Sequence, residues 1–156
     1  MQIISGYNPD EDSVGLPSIQ FLSTEPEGRK KETPYPASSR LAAAVSLRNG
    51  ILVTGGLGTE KQVWFGPSHL DGTWIRRKDM LEGRKGHGSC KVKLGGEENV
   101  IVAGGWDAMF EEMSSVEKYN QENNQWMSLP RMLHTRVDFA LQVSEPKLNE
   151  FWFVLK

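Results

Sequence analysis

Trp74, Met80 and Arg84 stand six and four residues apart, and Trp126, Met132 and Arg136 repeat that spacing. Upstream of each set an apolar run closes on two glycines: ILVTGG at Gly55 and Gly56, VIVAGG at Gly104 and Gly105. The glycine pairs lie 49 residues apart and the tryptophans 52. Ordered landmarks recurring at this period restrict the chain to a repeat architecture, in which each unit buries its apolar face against the next.

The bulk properties narrow the class. At 156 residues the chain has the length of one domain with a real core. A net charge of -2 leaves no basic footprint for nucleic acid. No apolar stretch approaches the roughly 20 residues that span a bilayer, so no membrane partner is expected. Cys90 is the single cysteine and cannot form an internal disulfide. Met1-Gln-Ile-Ile runs at once into Gly6, Asn8 and Asp10, unlike a signal-peptide core. A soluble, cytoplasmic chain is the expectation.

Short strands and turns account for most of the sequence. GHGSCKVKL (86–94) alternates as a half-buried strand does, GGEEN (95–99) turns, and VIVAGG (100–105) is a fully apolar strand. SSVEKYN (114–120) and QWMSL (125–129) follow, separated by the turn-rich QENN. The earlier copy reads LAAAVSL (41–47), the turn 48–50, ILVTG (51–55), QVWFG (62–66) and GTWIRR (72–77). RLAAAVSL has helical propensity, but it is short and ends at Asn49-Gly50, a hairpin signal, so a strand is predicted. A degenerate copy opens the chain: QIISGY (2–7) aligns with VIVAGGW, and SIQFL (18–22) takes the place of QVWFG. Phe21 precedes Arg40 by 19 residues, as Phe65 precedes Arg84, so Lys30 falls opposite Trp74 and Pro36 opposite Met80 while an arginine stays in register. After Arg136 come DFALQV (138–143) and FWFVL (151–155). Thirteen strands are expected.

The ordered set of Arg, strand, turn, apolar strand ending in Gly-Gly, variable loop, aromatic-bearing strand, Trp, Met and next Arg resembles the kelch repeat, most closely over 100–136. The resemblance covers essentially the whole chain. It implies an all-β fold of propeller blades, each a four-stranded antiparallel sheet with strands A to D counted outward from a central channel. The blades would be 1–39 (strands B to D), 40–83, 84–135, and 136–156 (strands A and B). Propellers close with about 4–8 blades, so an incomplete ring of three to four blades is expected, completed by missing blades or by self-association. FWFVLK would otherwise leave an apolar edge strand unpaired, and a fragment of a larger propeller is the favoured reading because blades stabilise mainly through their neighbours. Gly55, Gly56, Gly104 and Gly105 would end strand B where a Cβ is not tolerated. Trp74, Trp126, Phe65 and Tyr119 would fill the space between blades, with Met80 and Met132 as further framework residues.

The resemblance also implies capture of a protein or peptide through the B–C and D–A loops. By motif position that face carries Tyr7, Leu57 and Trp106 after the glycines, and Arg40, Arg84 and Arg136 before strand A, with Ser38, Ser39 and His134 beside them. Arginines among aromatics suit an acidic peptide, through forked pairing with carboxylates and flat contact area. An alternative reading has the arginines pinning loops by bonding backbone carbonyls. Trp106, a loop Trp with no framework duty, marks a contact surface. His69, His87 and His134 are scattered and share one cysteine, so neither metal nor cofactor is expected. His87 is expected to be packed and hydrogen-bonded, and Arg76-Arg77-Lys78 to be a solvated edge. Some kelch propellers are copper-radical oxidases or sugar isomerases, but only Tyr7, Tyr35 and Tyr119 are available here, and Tyr119 is the blade aromatic. A non-catalytic interaction module is therefore the expectation, of the kind that reads substrates for a ubiquitin ligase. A kelch-fold enzyme or an actin-binding protein is the alternative.

Overall fold

The computed structural model describes residues 2–4, 18–22, 31–37, 40–67, 73–143 and 153–155. Among them are thirteen β-strands and no helix. The strands fall into four antiparallel sheets. The first holds β1 (Gln2–Ile4), β2 (Ser18–Leu22) and β3 (Lys31–Pro34). The second holds β4 (Ala43–Leu47), β5 (Gly50–Thr54), β6 (Val63–Pro67) and β7 (Ile75–Arg76). The third holds β8 (Gly88–Leu94), β9 (Glu97–Ala103), β10 (Val116–Asn120) and β11 (Gln125–Leu129). The fourth pairs β12 (Leu141–Val143) with β13 (Phe153–Leu155). Within each four-stranded sheet the order follows the sequence, so every connection is a hairpin between neighbours, and β4, β8 and β12 adjoin one another as the inner strands. Among the described residues this series of blades stays open.

The apolar runs are continuous because both faces of each blade are covered. Val100 and Val102 point to one side, with Tyr119 and Trp126, and pack on Val45, Leu47, Leu52, Val63, Phe65 and Met80 of the second sheet. Ile101 and Ala103 point to the other, with Val92 and Val116, and pack on Leu141. Likewise Ile51 and Val53 turn away from Leu52 to meet Tyr35 and Trp74. The segment LAAAVSL is a strand from Ala43, as its repeat partner implied. One turn is tighter than the sequence suggests: only Gly95 and Gly96, with φ of 59° and 90°, lie between Leu94 and its partner Glu97, so Glu97–Asn99 belong to β9.

The aromatic positions differ from the sequence alignment. Val100 pairs with Tyr119, and Ile51, 49 residues earlier, pairs with Gly66. Tyr119 therefore corresponds to Gly66 rather than to Phe65. A one-residue shift on a strand reverses the face, so Phe65 looks forward to the third sheet while Tyr119 looks back to the second. Gly66 makes room for Trp74, whose ring lies 2.7 Å from where a Cβ would stand. Trp74 is half-buried, edge-on to Tyr35 at 5.0 Å between centroids, and Trp126 is buried against Tyr119 at 4.9 Å.

The basic run 76–78 is more than a solvated edge. The Arg76 and Arg77 guanidiniums lie 5.3 Å from the Trp64 and Phe65 ring centroids, and Lys78 reaches the next blade. There its N–H donates to Asn124 Oδ1 and its carbonyl accepts the Trp126 indole N–H.

Arg84 locks the second and third sheets together. It is fully buried, its Nη1 donates to the carbonyls of Gly104 and Ser115 (2.9 and 3.2 Å), and its Nη2 donates to Ser115 Oγ (3.1 Å) and Glu117 Oε1 (2.7 Å). Glu117 is equally buried and also accepts the N–H groups of Leu81 and Glu82 at 2.8 and 2.9 Å. Removing one partner strands the other charge without water, so Arg84→Met or Glu117→Ala is expected to lower the unfolding free energy by about 3–5 kcal/mol. The double replacement Arg84→Met/Glu117→Ala should lose clearly less than the sum. A urea-unfolding double-mutant cycle measures this, and additive losses would contradict the coupling.

Candidate partner-binding face

Three loops carry the expected partner-facing residues. The first, 55–62, is closed by Gly55 N–H to the Gln62 carbonyl and Thr59 N–H to the Gly56 carbonyl. The second, 104–115, is closed by Gly104 N–H to the Ser115 carbonyl and Met113 N–H to the Gly105 carbonyl. The third, 130–138, is tied to the second by Arg136 N–H to the Met113 carbonyl and Thr135 Oγ1 to Glu112 Oε2 at 2.7 Å. The glycine pairs permit this closeness: a Cβ on Gly55 would run into the Arg84 carbonyl, and one on Gly104 into that of Arg136. Their φ values of 63° and 60° are in the region that glycine tolerates best.

The structure separates the three arginines. Arg84 is inside the blade interface, so the expectation that it meets a partner gives way to the framework reading. It does bond carbonyls, and it adds an ion pair that the sequence alone does not reveal. Arg136 matches Arg84 in backbone, since its carbonyl accepts Gly105 N–H as that of Arg84 accepts Gly56 N–H, but its side chain is exposed. Arg40 is exposed and belongs to a different register. Gly86 N–H donates to Leu41, and Asp138 N–H to Gly86, and these three equivalent residues share φ values of 58°, 60° and 48°. Leu57 N–H donates to Arg40 just as Trp106 N–H donates to Lys85. Arg40 is thus the counterpart of Lys85, and Ser39 occupies the place of Arg84.

The other expected residues are dispersed. Leu57 is half-buried beneath Arg40, and His134 is exposed. Trp106 is also half-buried, paired with Lys85 and Glu112 as a short bridge, and its ring covers Gly86 at 2.6 Å from a would-be Cβ. It is part of the loop framework, in contrast to the freely exposed Trp expected. Tyr7, Ser38, Ser39 and His69 lie outside the described residues.

Sequence reasoning passed over Met109 and Phe110. They are 81% and 59% exposed at the tip of the second loop. Asp107 shapes that tip: its Oδ1 accepts the N–H groups of Met109 and Glu111 at 2.8 and 2.9 Å, and its N–H donates to the Glu111 carbonyl. Phe110 has a φ of 63°, a costly conformation for a bulky residue. Beneath it lies the buried Lys85 ammonium, 3.4 Å from the ring centroid, 3.5 Å from the Ala108 carbonyl and 3.8 Å from Glu60 Oε1. A desolvated cation on an aromatic face contributes about 2 kcal/mol, enough to offset a strained φ. An Asp two residues before an apolar pair in a loop was the available signal, since it announces a side-chain-closed turn.

His87 sits between the glycine pairs, its Cε1 at 2.8 Å from a would-be Cβ on Gly55 and its Cβ at 2.8 Å from one on Gly105. His87 Nε2 shares a hydrogen bond with the Thr54 hydroxyl at 2.8 Å, and its Nδ1 is buried without a hydrogen-bond partner. Burial, reinforced by the Arg84 charge, lowers the imidazole from 6.5 to about 3. The unfolded chain binds this proton below 6.5 and the folded chain does not until about 3. Stability is therefore full above pH 6.5 and falls as pH drops through that window. His87→Gln is expected to flatten this fall, measured as melting temperature between pH 7 and 4; an unchanged slope would count against the assignment.

The sheets and loops define a class: kelch-type propeller blades joined by buried aromatic and ionic contacts. Comparison with known proteins agrees. Residues 96–133 match the model of the Kelch motif. The chain is 32% identical to Kelch-like protein 35 of Mus musculus over 122 residues, 76% of this chain and 20% of that protein. It is 41% identical to Kelch-like protein 24 of Rattus norvegicus over 78 residues, 50% of this chain and 12% of that one. Against Kelch-like protein 6 of Homo sapiens the identity is 32% over 106 residues, 68% and 16% of the two chains. The chain spans a fifth or less of the length of these relatives, and it belongs to the kelch-repeat family.

Proposed function

We propose that this chain is a protein-recognition module that engages its partner through the loops 55–62, 104–115 and 130–138. The Met109–Phe110 tip carries the reading. Two large apolar side chains stand in solvent on a turn whose shape is enforced by Asp107 and Lys85, and neither fills a core. Exposed aromatic and Met side chains on a rigid support make the central contacts of many interfaces. An acidic partner was inferred from three convergent arginines. With Arg84 buried and Asp107, Glu111 and Glu112 on the same loop, the proposal rests on apolar contact instead. Delivery of that partner to a ubiquitin ligase would be the task of a separate domain, as in other members of the family.

Met109→Ser/Phe110→Ser is expected to reduce capture of the partner by about tenfold or more. Melting temperature should fall by about 4–8 °C at most, the equivalent of the lost Phe110–Lys85 contact, and Met109→Ser alone, at a position that packs on no core, should stay within about 2 °C. Quantitative affinity capture from cells, wild type against variant, measures this beside thermal unfolding. Partners retained unchanged by the variant would refute the proposed contact.

A further inference from the structure

A groove runs along the seam between the second and third sheets, bounded by the loops 55–62 and 104–115 and by the stretch 79–83. It holds two cavities of about 510 and 360 Å³, which share Lys61, Gly83 and Asp107. Arg76 and Asp79 line the larger one, so the groove follows the outer rim of the blades, away from the inner strands β4 and β8. Backbone bonds fix its walls: Met80 N–H to the Lys61 carbonyl, Arg84 N–H to that of Glu60, and the turn closed by Asp107. Leu81 lies exposed in the smaller cavity, and Met109 and Phe110 project from the turn beside it.

Charge identifies what fits. In the larger cavity the charges already pair, Arg76 with Asp79 and Glu60 with the Lys85 beneath it. The smaller one has an excess of acids: Glu82, Asp107, Glu111 and Glu112 face only Lys61 and Arg131. Arg131 stands 3.9 Å from Glu82, and Glu112 accepts the Thr135 hydroxyl, but the exposed Glu111 carboxylate has no bond among the described residues. A concave wall of this kind concentrates cations. No three of the described acids converge as metal ligands, so the charge is spread along the groove and suits a long side chain. We infer that the groove seats an extended segment of a partner protein whose Arg or Lys side chain enters the smaller cavity, with apolar neighbours against Met109 and Phe110. The aliphatic stem of that side chain covers Leu81, and its charge lies among the carboxylates. This rests on the recognition role proposed for the loops and gives the partner a chemical class, basic and apolar, in place of the acidic peptide that the sequence suggested.

The test pans the full 156-residue chain against a phage-displayed library of random dodecapeptides. Enriched sequences are expected to carry Arg or Lys beside Leu, Met or an aromatic residue. A synthetic copy of the leading peptide should lose affinity about tenfold when its basic residue becomes Gln, lose a similar factor on Glu111→Lys of the chain, and weaken with added salt. Glu111→Lys should leave the melting temperature unchanged, because the side chain is exposed and unbonded. No enrichment, enriched peptides without a basic residue, or affinity indifferent to Glu111→Lys would each overturn the proposal. Capture of the cellular partner separates it from the reading on which it rests. Loss with Met109→Ser/Phe110→Ser but not with Glu111→Lys keeps the loops as the contact and overturns the basic side chain; loss with Glu111→Lys alone keeps the groove and overturns the tip.

Discussion

The ion pair between Arg84 and Glu117 governs how the second and third blades meet. Apolar faces such as those of β5 and β9 attract one another but have little to stop them sliding, because no backbone ladder crosses from blade to blade. A buried guanidinium changes that. Its fork finds acceptors at Gly104, Ser115 and Glu117, which come from the end of β9, the loop after it and β10. Only one relative position of the sheets satisfies all of them. Burying both charges is costly, and the cost is offset because Glu117 also caps two N–H groups of the incoming chain. The pair therefore acts chiefly on register, while the surrounding aromatics and branched aliphatics supply the attraction.

The interface on the other side of the second blade is built differently. Trp64 stands at the register of Glu117, and the space is closed by Tyr35 and Trp74 packed edge to face. Gly66 belongs to this exchange, because the Trp74 ring occupies the volume a side chain would need. Equivalent positions in one chain thus carry either an ionic lock or an aromatic one.

Much of this fold was legible in the sequence. Strand order, the turns and the glycine pairs follow from periodicity and from backbone positions that only glycine serves well. The failures were errors of a single residue. Aligning Phe65 with Tyr119 by their aromatic character missed that strand side chains alternate, so one step sends a ring to the opposite blade. Aligning Arg40 with Arg84 by equal spacing from an aromatic carried the same error into the loop, where Leu41, Gly86 and Asp138 set the true register through their shared left-handed backbone. Burial of Arg84 was not legible either, since it depends on a carboxylate 33 residues away in the next sheet. The Trp106 ring was misjudged because its support, Gly86, lies 20 residues earlier in the sequence, before strand β8 of the same blade.

The adjacency of Arg84 and Lys85 joins the packing of the blades to the shape of the 104–115 loop. Arg84 points into the interface, and the next residue sends its ammonium beneath Phe110. The backbone between them is fixed at both ends, by Arg84 N–H on the Glu60 carbonyl and by the paired bonds between Lys85 and Trp106. A shift of one blade against the other would therefore move Lys85 relative to the loop it supports. The reverse does not hold, since the side chains of Met109 and Phe110 stand clear of the core. Met109 is thus the freer position of the tip, while the Phe110 ring on the ammonium, the Ala108 carbonyl and the Asp107 turn keep the backbone in place.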